Sequence, residues 1–93
     1  MQNISTNSTA IQNQPAFLWH YQPIKTSQFH PDTGFYITYG LQLYQNENGI
    51  LIPLIILPDI STNLDFVENL ALTFTVNQLS PLHLYDAVLD AMP

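Results

Sequence analysis

The sequence predicts an α+β fold, a small antiparallel sheet of two or three strands followed by two helices packed on one face. Three observations predict it. Apolar and polar side chains alternate between residues 34 and 44, and a second apolar run, 50–57, follows after a short polar loop ending in Asn48-Gly49. Past Pro58 the apolar spacing changes from two residues to the helical period of about 3.6. The chain has 93 residues and no cysteine, which admits one modest domain held by its core and excludes disulfide staples and thiolate chemistry.

Residues 1–14 are almost wholly Asn, Gln, Ser and Thr. Such a stretch buries too little apolar surface to offset the entropy of ordering it, so we expect a disordered tail, with a single α+β domain over 15–93. Residues 16–22, aromatic-rich and bounded by Pro15 and Pro23, fit a short strand, and 24–33 hold turn residues without a period. From Gly34, Phe35, Ile37, Tyr39, Leu41 and Leu43 take one parity while Tyr36, Thr38, Gly40, Gln42 and Tyr44 take the other, the mark of a half-buried strand. With 50–57 it forms a hairpin. Pro53 cannot donate to a ladder, which puts the third strand at an edge or on a bulge, and Gly40 signals a bulge or a close backbone approach.

Residues 59–62, Asp-Ile-Ser-Thr, offer N-caps for a helix over 63–76 whose buried stripe is Leu64, Val67, Ala71 and Phe74, widened by Phe66 and Leu70. Asn77 is its expected left-handed stop. Ser80-Pro81 starts a second helix with a cap and a proline where the missing N–H costs nothing, and Leu82, Tyr85, Leu89 and Met92 share one face.

The formal charge is −6 with Lys25 the only basic residue, so the chain cannot neutralise a run of phosphates; nucleic acid and anionic membranes are not expected partners. Seven carboxylates are too few and too scattered to imitate a phosphate backbone. No signal-like or membrane-length apolar segment is visible, and we expect a cytoplasmic protein. No Gly-rich phosphate cradle or activated nucleophile is legible, and no catalytic activity and no cofactor are expected.

Two side-chain groups remain as candidate sites. His83, Asp86 and Asp90 lie at i, i+3 and i+7 on the second helix; they read as a solvated face, with a divalent metal as the alternative and no metal expected. Asp86 suits a helix start, whereas Asp90 near the end does not. On the sheet face away from the helices, Tyr36, Tyr44 and Tyr21 would stand in water, either as ordinary half-exposed tyrosines or as an interface.

The sequence Tyr39-Gly40-Leu41-Gln42-Leu43-Tyr44, the Asp59-Ile60-Ser61-Thr62 turn, and Leu79-Ser80-Pro81-Leu82-His83-Leu84-Tyr85-Asp86 running on to Asp90 resemble a family of short bacterial domains of unknown function, of the Firmicutes type. The resemblance spans about residues 35–91 and leaves the polar tail and Phe17-Leu18-Trp19 as individual features. It implies no activity. It sets Asp59, Ser61, Ser80, His83, Asp86 and Asp90 at motif positions, of which the first three are accounted for by turns and caps.

The expected function is a non-catalytic interaction module that buries an aromatic sheet face or an edge strand against an unknown protein partner, a homodimer included. The alternative is an acidic inhibitor or adaptor, phage-related for example, that occupies a basic groove of an enzyme through Asp86 and Asp90.

Overall fold

The structure, a computed structural model, describes residues 17–93, and the tail expected over 1–14 lies outside them. Strands β1 (Trp19–His30), β2 (Gly34–Glu47) and β3 (Ile50–Ser61) form an antiparallel sheet in the order β1-β2-β3. Helix α1 (Leu64–Val76) follows, then a 3-10 turn (Pro81–His83) that leads into α2 (Leu84–Ala91). The α+β class is as expected, with three strands.

The first strand starts later and runs further than 16–22, straight through Pro23. The Leu18 carbonyl accepts from Asn46 N at 2.8 Å on the β2 side, so by alternation the backbone groups of Trp19, Tyr21 and Pro23 turn away from β2. The missing N–H of Pro23 therefore interrupts no ladder bond. Residues 24–30 have no apolar period of their own and become strand by pairing with β2, from Ile24↔Gly40 to His30↔Gly34. Gly34 supplies the positive φ (79°) that closes this hairpin.

The third strand continues past residue 57 to Ser61 and contains two irregularities. Tyr44 faces Pro53 while Leu43 faces Ile55, which leaves Leu54 as an extra residue; Pro53 thus sits both on an edge strand and at a bulge. Leu41 faces Leu57 and Tyr39 faces Ser61, so residues 58–60 bow out opposite Gly40 alone. A Cβ at Gly40 would run into the Leu57 carbonyl and come within 2.7 Å of Pro58 Cα, which is the close approach that the mid-strand glycine signals. Asn48 and Gly49, with φ of 55° and 87°, form the tight turn between β2 and β3.

Asp59 belongs to that bulge, at φ 56°, and caps nothing. The α1 N-cap is Asn63, one residue beyond the Asp-Ile-Ser-Thr segment, with its side chain accepting from Phe66 N at 3.3 Å. The left-handed residue after α1 is Gln78 (φ 52°), not Asn77. Gln78 N bonds the Thr75 carbonyl and Leu79 N bonds the Phe74 carbonyl at 2.9 Å, the paired pattern of a Schellman stop.

The core joins Tyr21, Leu41, Leu43 and Ile60 of the sheet to Val67, Leu70, Ala71 and Phe74 of α1 and to Leu84 and Val88 of α2. Burying each large aliphatic here contributes about 1.5–3 kcal/mol. Leu64, expected in the α1 stripe, is partly exposed at its amino-terminal end.

Two expectations about faces are corrected. Tyr21 pairs with Leu43 and so lies on the helix side, 3% exposed, with its ring 5.6 Å from Phe74 in an edge-on contact. In α2 the buried residues are Leu84 and Val88, whereas Leu82, Tyr85 and Leu89 face outward. The 3-10 turn advances the chain by about 120° per residue rather than 100°, and this rotates the helix that follows it.

Candidate interaction surface

Of the sequence-derived site residues, Tyr36 and Tyr44 do share the sheet face away from the helices, and both are half-buried. They do not form one cluster, because eight residues of extended strand separate them by roughly 26 Å. Tyr44 lies beside His20, ring centroids 6.4 Å apart, and faces Pro53 on β3. Tyr36 stands on the part of the β1–β2 hairpin that extends beyond the end of β3, near His30, Thr33 and Thr62 around an open hollow of about 460 Å³.

His83, Asp86 and Asp90 are exposed, on the side of the turn and of α2 away from Leu84 and Val88. Among the described residues no group of three or more His, Cys, Asp or Glu side chains lies close enough to hold a metal ion. The His–carboxylate approach among those residues is elsewhere, in the exposed first turn, where His30 Nδ1 lies 3.9 Å from Asp32 Oδ2 and accepts a hydrogen bond from Asp32 N at 3.1 Å. No helix among the described residues is long and apolar enough to cross a membrane.

The largest departure from an ordinary surface is β3. Ile50, Leu51, Ile52, Leu54, Ile55 and Ile56 are each between 36% and 67% exposed. By register, Ile50, Ile52 and Ile55 pair with Glu47, Gln45 and Leu43 and lie on the helix side, while Leu51 and Ile56 pair with Asn46 and Gln42 on the other side. Both faces of the strand are thus aliphatic, the pattern of a strand buried on two sides, yet it occupies an edge. The backbone groups of Ile50, Ile52 and Ile55 turn toward β2, so those of Leu51 and Ile56 turn outward. Near the carboxyl end of β3, the exposed Tyr85 and Leu89 of α2 flank Leu57, Pro58 and Ile60 around a cavity of about 160 Å³. They bring a helical apolar stripe up to that end of the strand.

The opposite edge is closed by two residues that sequence reasoning missed. Gln78 Oε1 accepts from Leu18 N (2.8 Å) and Trp19 N (3.0 Å), while its Nε2 donates to the Trp19 carbonyl (2.8 Å) and to the Thr75 carbonyl (2.6 Å). Thr75 Oγ1 accepts from Tyr21 N at 2.9 Å and donates to the Tyr21 carbonyl at 3.4 Å. The two side chains do for Trp19 and Tyr21 what a neighbouring strand would do. The Tyr21 hydroxyl donates to the Leu79 carbonyl at 2.6 Å, and burial pushes its pKa up to about 12. The sequence carries no local signal for either clamp; the left-handed φ of Gln78, which a glutamine rarely adopts, emerges only in the fold.

No curated protein and no solved structure matches the chain. The resemblance described above covers about residues 35–91, but the family model that matches covers residues 1–93, the polar amino-terminal stretch included, and on that match the chain belongs to a family of unknown function, DUF6514.

Proposed function

We propose that this chain is a non-catalytic protein-interaction module whose docking surface is the aliphatic strand β3, with Tyr44 and Pro53 beside it. The observation that carries the reading is the exposure of six large aliphatic side chains on one edge strand, within a stretch, residues 50–58, that has no charged side chain. The largest apolar patch of a typical monomer is about 300–600 Å² and is often functional. Here such a patch lies along backbone donors and acceptors that have no partner among the described residues, which is the combination that strand-adding recognition uses. Tyr36 is a separate, smaller contact in this scheme.

The test is a comparison of captures from a lysate of the source cells with wild type, Ile56→Lys and Leu72→Lys as baits. Leu72 is equally exposed but lies on α1. A partner held by wild type and Leu72→Lys and lost by Ile56→Lys supports docking at β3; a partner retained by all three places docking elsewhere and ends this reading. The second reading, an acidic adaptor, draws on the exposed Asp86 and Asp90. It requires capture that collapses as ionic strength rises and that survives Ile56→Lys.

A further inference from the structure

We infer that the partner of β3 is a second copy of this chain, joined edge to edge by antiparallel pairing of β3 with β3 about a two-fold axis, an inference that rests on the reading of β3 as the docking surface. Three features of the strand favour a copy of itself over another chain.

The first is charge. The chain carries −6, and Asp65, Glu68, Asp86 and Asp90 are exposed on the helices, so most ways of bringing two copies together oppose like charges. Residues 50–58 contain no charged side chain, and self-pairing there opposes none. Like charges directly opposite one another in a sheet are destabilising, so the segment without them is the one that tolerates its own image.

The second is the spacing of the outward backbone groups. Leu51 and Ile56 both present an N–H and a carbonyl away from β2. A two-fold axis that sets Leu51 opposite Ile56 of the other copy also sets Ile56 opposite Leu51, and each pair exchanges two backbone bonds. Pro53, which has no N–H to give, falls at the centre between the two pairs. The pairing is therefore short, and the prolines and the bulge exclude a longer one.

The third is the match of side chains across the seam. The same axis sets Leu51 beside Ile56 on one face and Ile52 beside Ile55 on the other, so each aliphatic side chain meets another aliphatic one. Because they lie on both faces of β3, joining two copies continues an apolar strip along both faces of a six-stranded sheet.

The absence of cysteine makes the register directly testable. Leu51→Cys and Ile56→Cys are prepared separately, mixed and oxidised. The register places Leu51 and the facing Ile56 at a Cα separation of about 5.5 Å, within disulfide reach, and, with the bulge absorbing one residue, places like residues about 14 Å apart, outside it. The expected result is a disulfide dimer from the mixture and none from either variant alone. A dimer from a single variant, or none from the mixture, overturns the register.

Sedimentation of the unmodified chain over a concentration series tests the pairing itself. The expected result is a twofold mass that Ile56→Lys halves, raising the dissociation constant about a hundredfold or more, while Leu72→Lys leaves it within about threefold. An unchanged circular dichroism spectrum shows that Ile56→Lys is folded. A monomer at every concentration overturns the inference, as does a dimer indifferent to Ile56→Lys. If a lysate partner is still lost with Ile56→Lys, the monomer result removes only the second copy and leaves the docking surface standing.

Discussion

Along β1, Trp19 and Tyr21 present outward backbone groups that Gln78 and Thr75 bond, Pro23 presents no donor, and Lys25, the only basic residue in the chain, stands at the next outward position. Along β3, the outward positions Leu51 and Ile56 have, among the described residues, no such partner, and their neighbours are aliphatic. Closing an edge with side chains, proline and lysine is how sheets avoid unwanted pairing. The chain applies all three to one edge and only proline and a bulge to the other. The difference teaches that exposure of β3 is a local property of that strand, since the same fold shields an edge where it needs to.

The comparison can be broken most severely at Gly40, where the bow of residues 58–60 holds β3 against β2. Gly40→Ala forces backbone apart, and we expect a loss of about 3 kcal/mol or more in urea unfolding. Next is the closed edge. Thr75→Val keeps the shape but leaves the buried Tyr21 amide without its acceptor, for an expected loss of about 2 kcal/mol and a faster amide exchange at Tyr21 than at Leu43.

Gln78→Ala removes both clamps on Trp19 and keeps the strained φ; Gln78→Gly removes the clamps but relieves the strain. The glycine variant should be the more stable of the two by about 1 kcal/mol, with wild type above both. If alanine and glycine unfold together, the backbone at Gln78 stores no strain.

Titration gives a subtler handle on the same edge. The Tyr21 phenol keeps its proton to about pH 12 when folded and loses it from about 10 when unfolded. Between these values the native state binds more protons than the unfolded state, so stability falls as pH rises from 10 towards 12 and is fully present below 10. Tyr21→Phe should flatten that slope while losing the bond to the Leu79 carbonyl. A slope identical to wild type would mean that another group titrates there. The smallest effect belongs to the open edge: Ile50→Thr should change monomer stability by no more than about 0.5–1 kcal/mol, because Ile50, 67% exposed, has little burial to lose.

Legibility in the sequence followed how local each cause was. The Asn48-Gly49 turn, the edge position of Pro53, the crowding at Gly40 and the Ser80-Pro81 start depend on backbone constraints within a few residues, and each was readable. Thr75 and Gln78 act on backbone 54 to 60 residues away, and no periodicity records that. Tyr21 was misplaced because reading Pro23 as a strand end hid its parity with Leu43. In α2, two apolar stripes compete, Leu84 with Val88 and Tyr85 with Leu89, and the 3-10 turn decides between them. The exposure of β3 was legible only in part: its proline pointed to an edge, while its aliphatic run on both faces read as burial.

Gln78 and Thr75 also set a valence. A sheet with two open edges can add copies without end, the route to fibres. Between Trp19 and Lys25 the β1 edge is closed, so two copies joined at β3 would present that closed stretch at either extremity, which works against further growth. Removing the clamps on Trp19 would then do more than soften the fold, for it would reopen part of the edge that opposes growth.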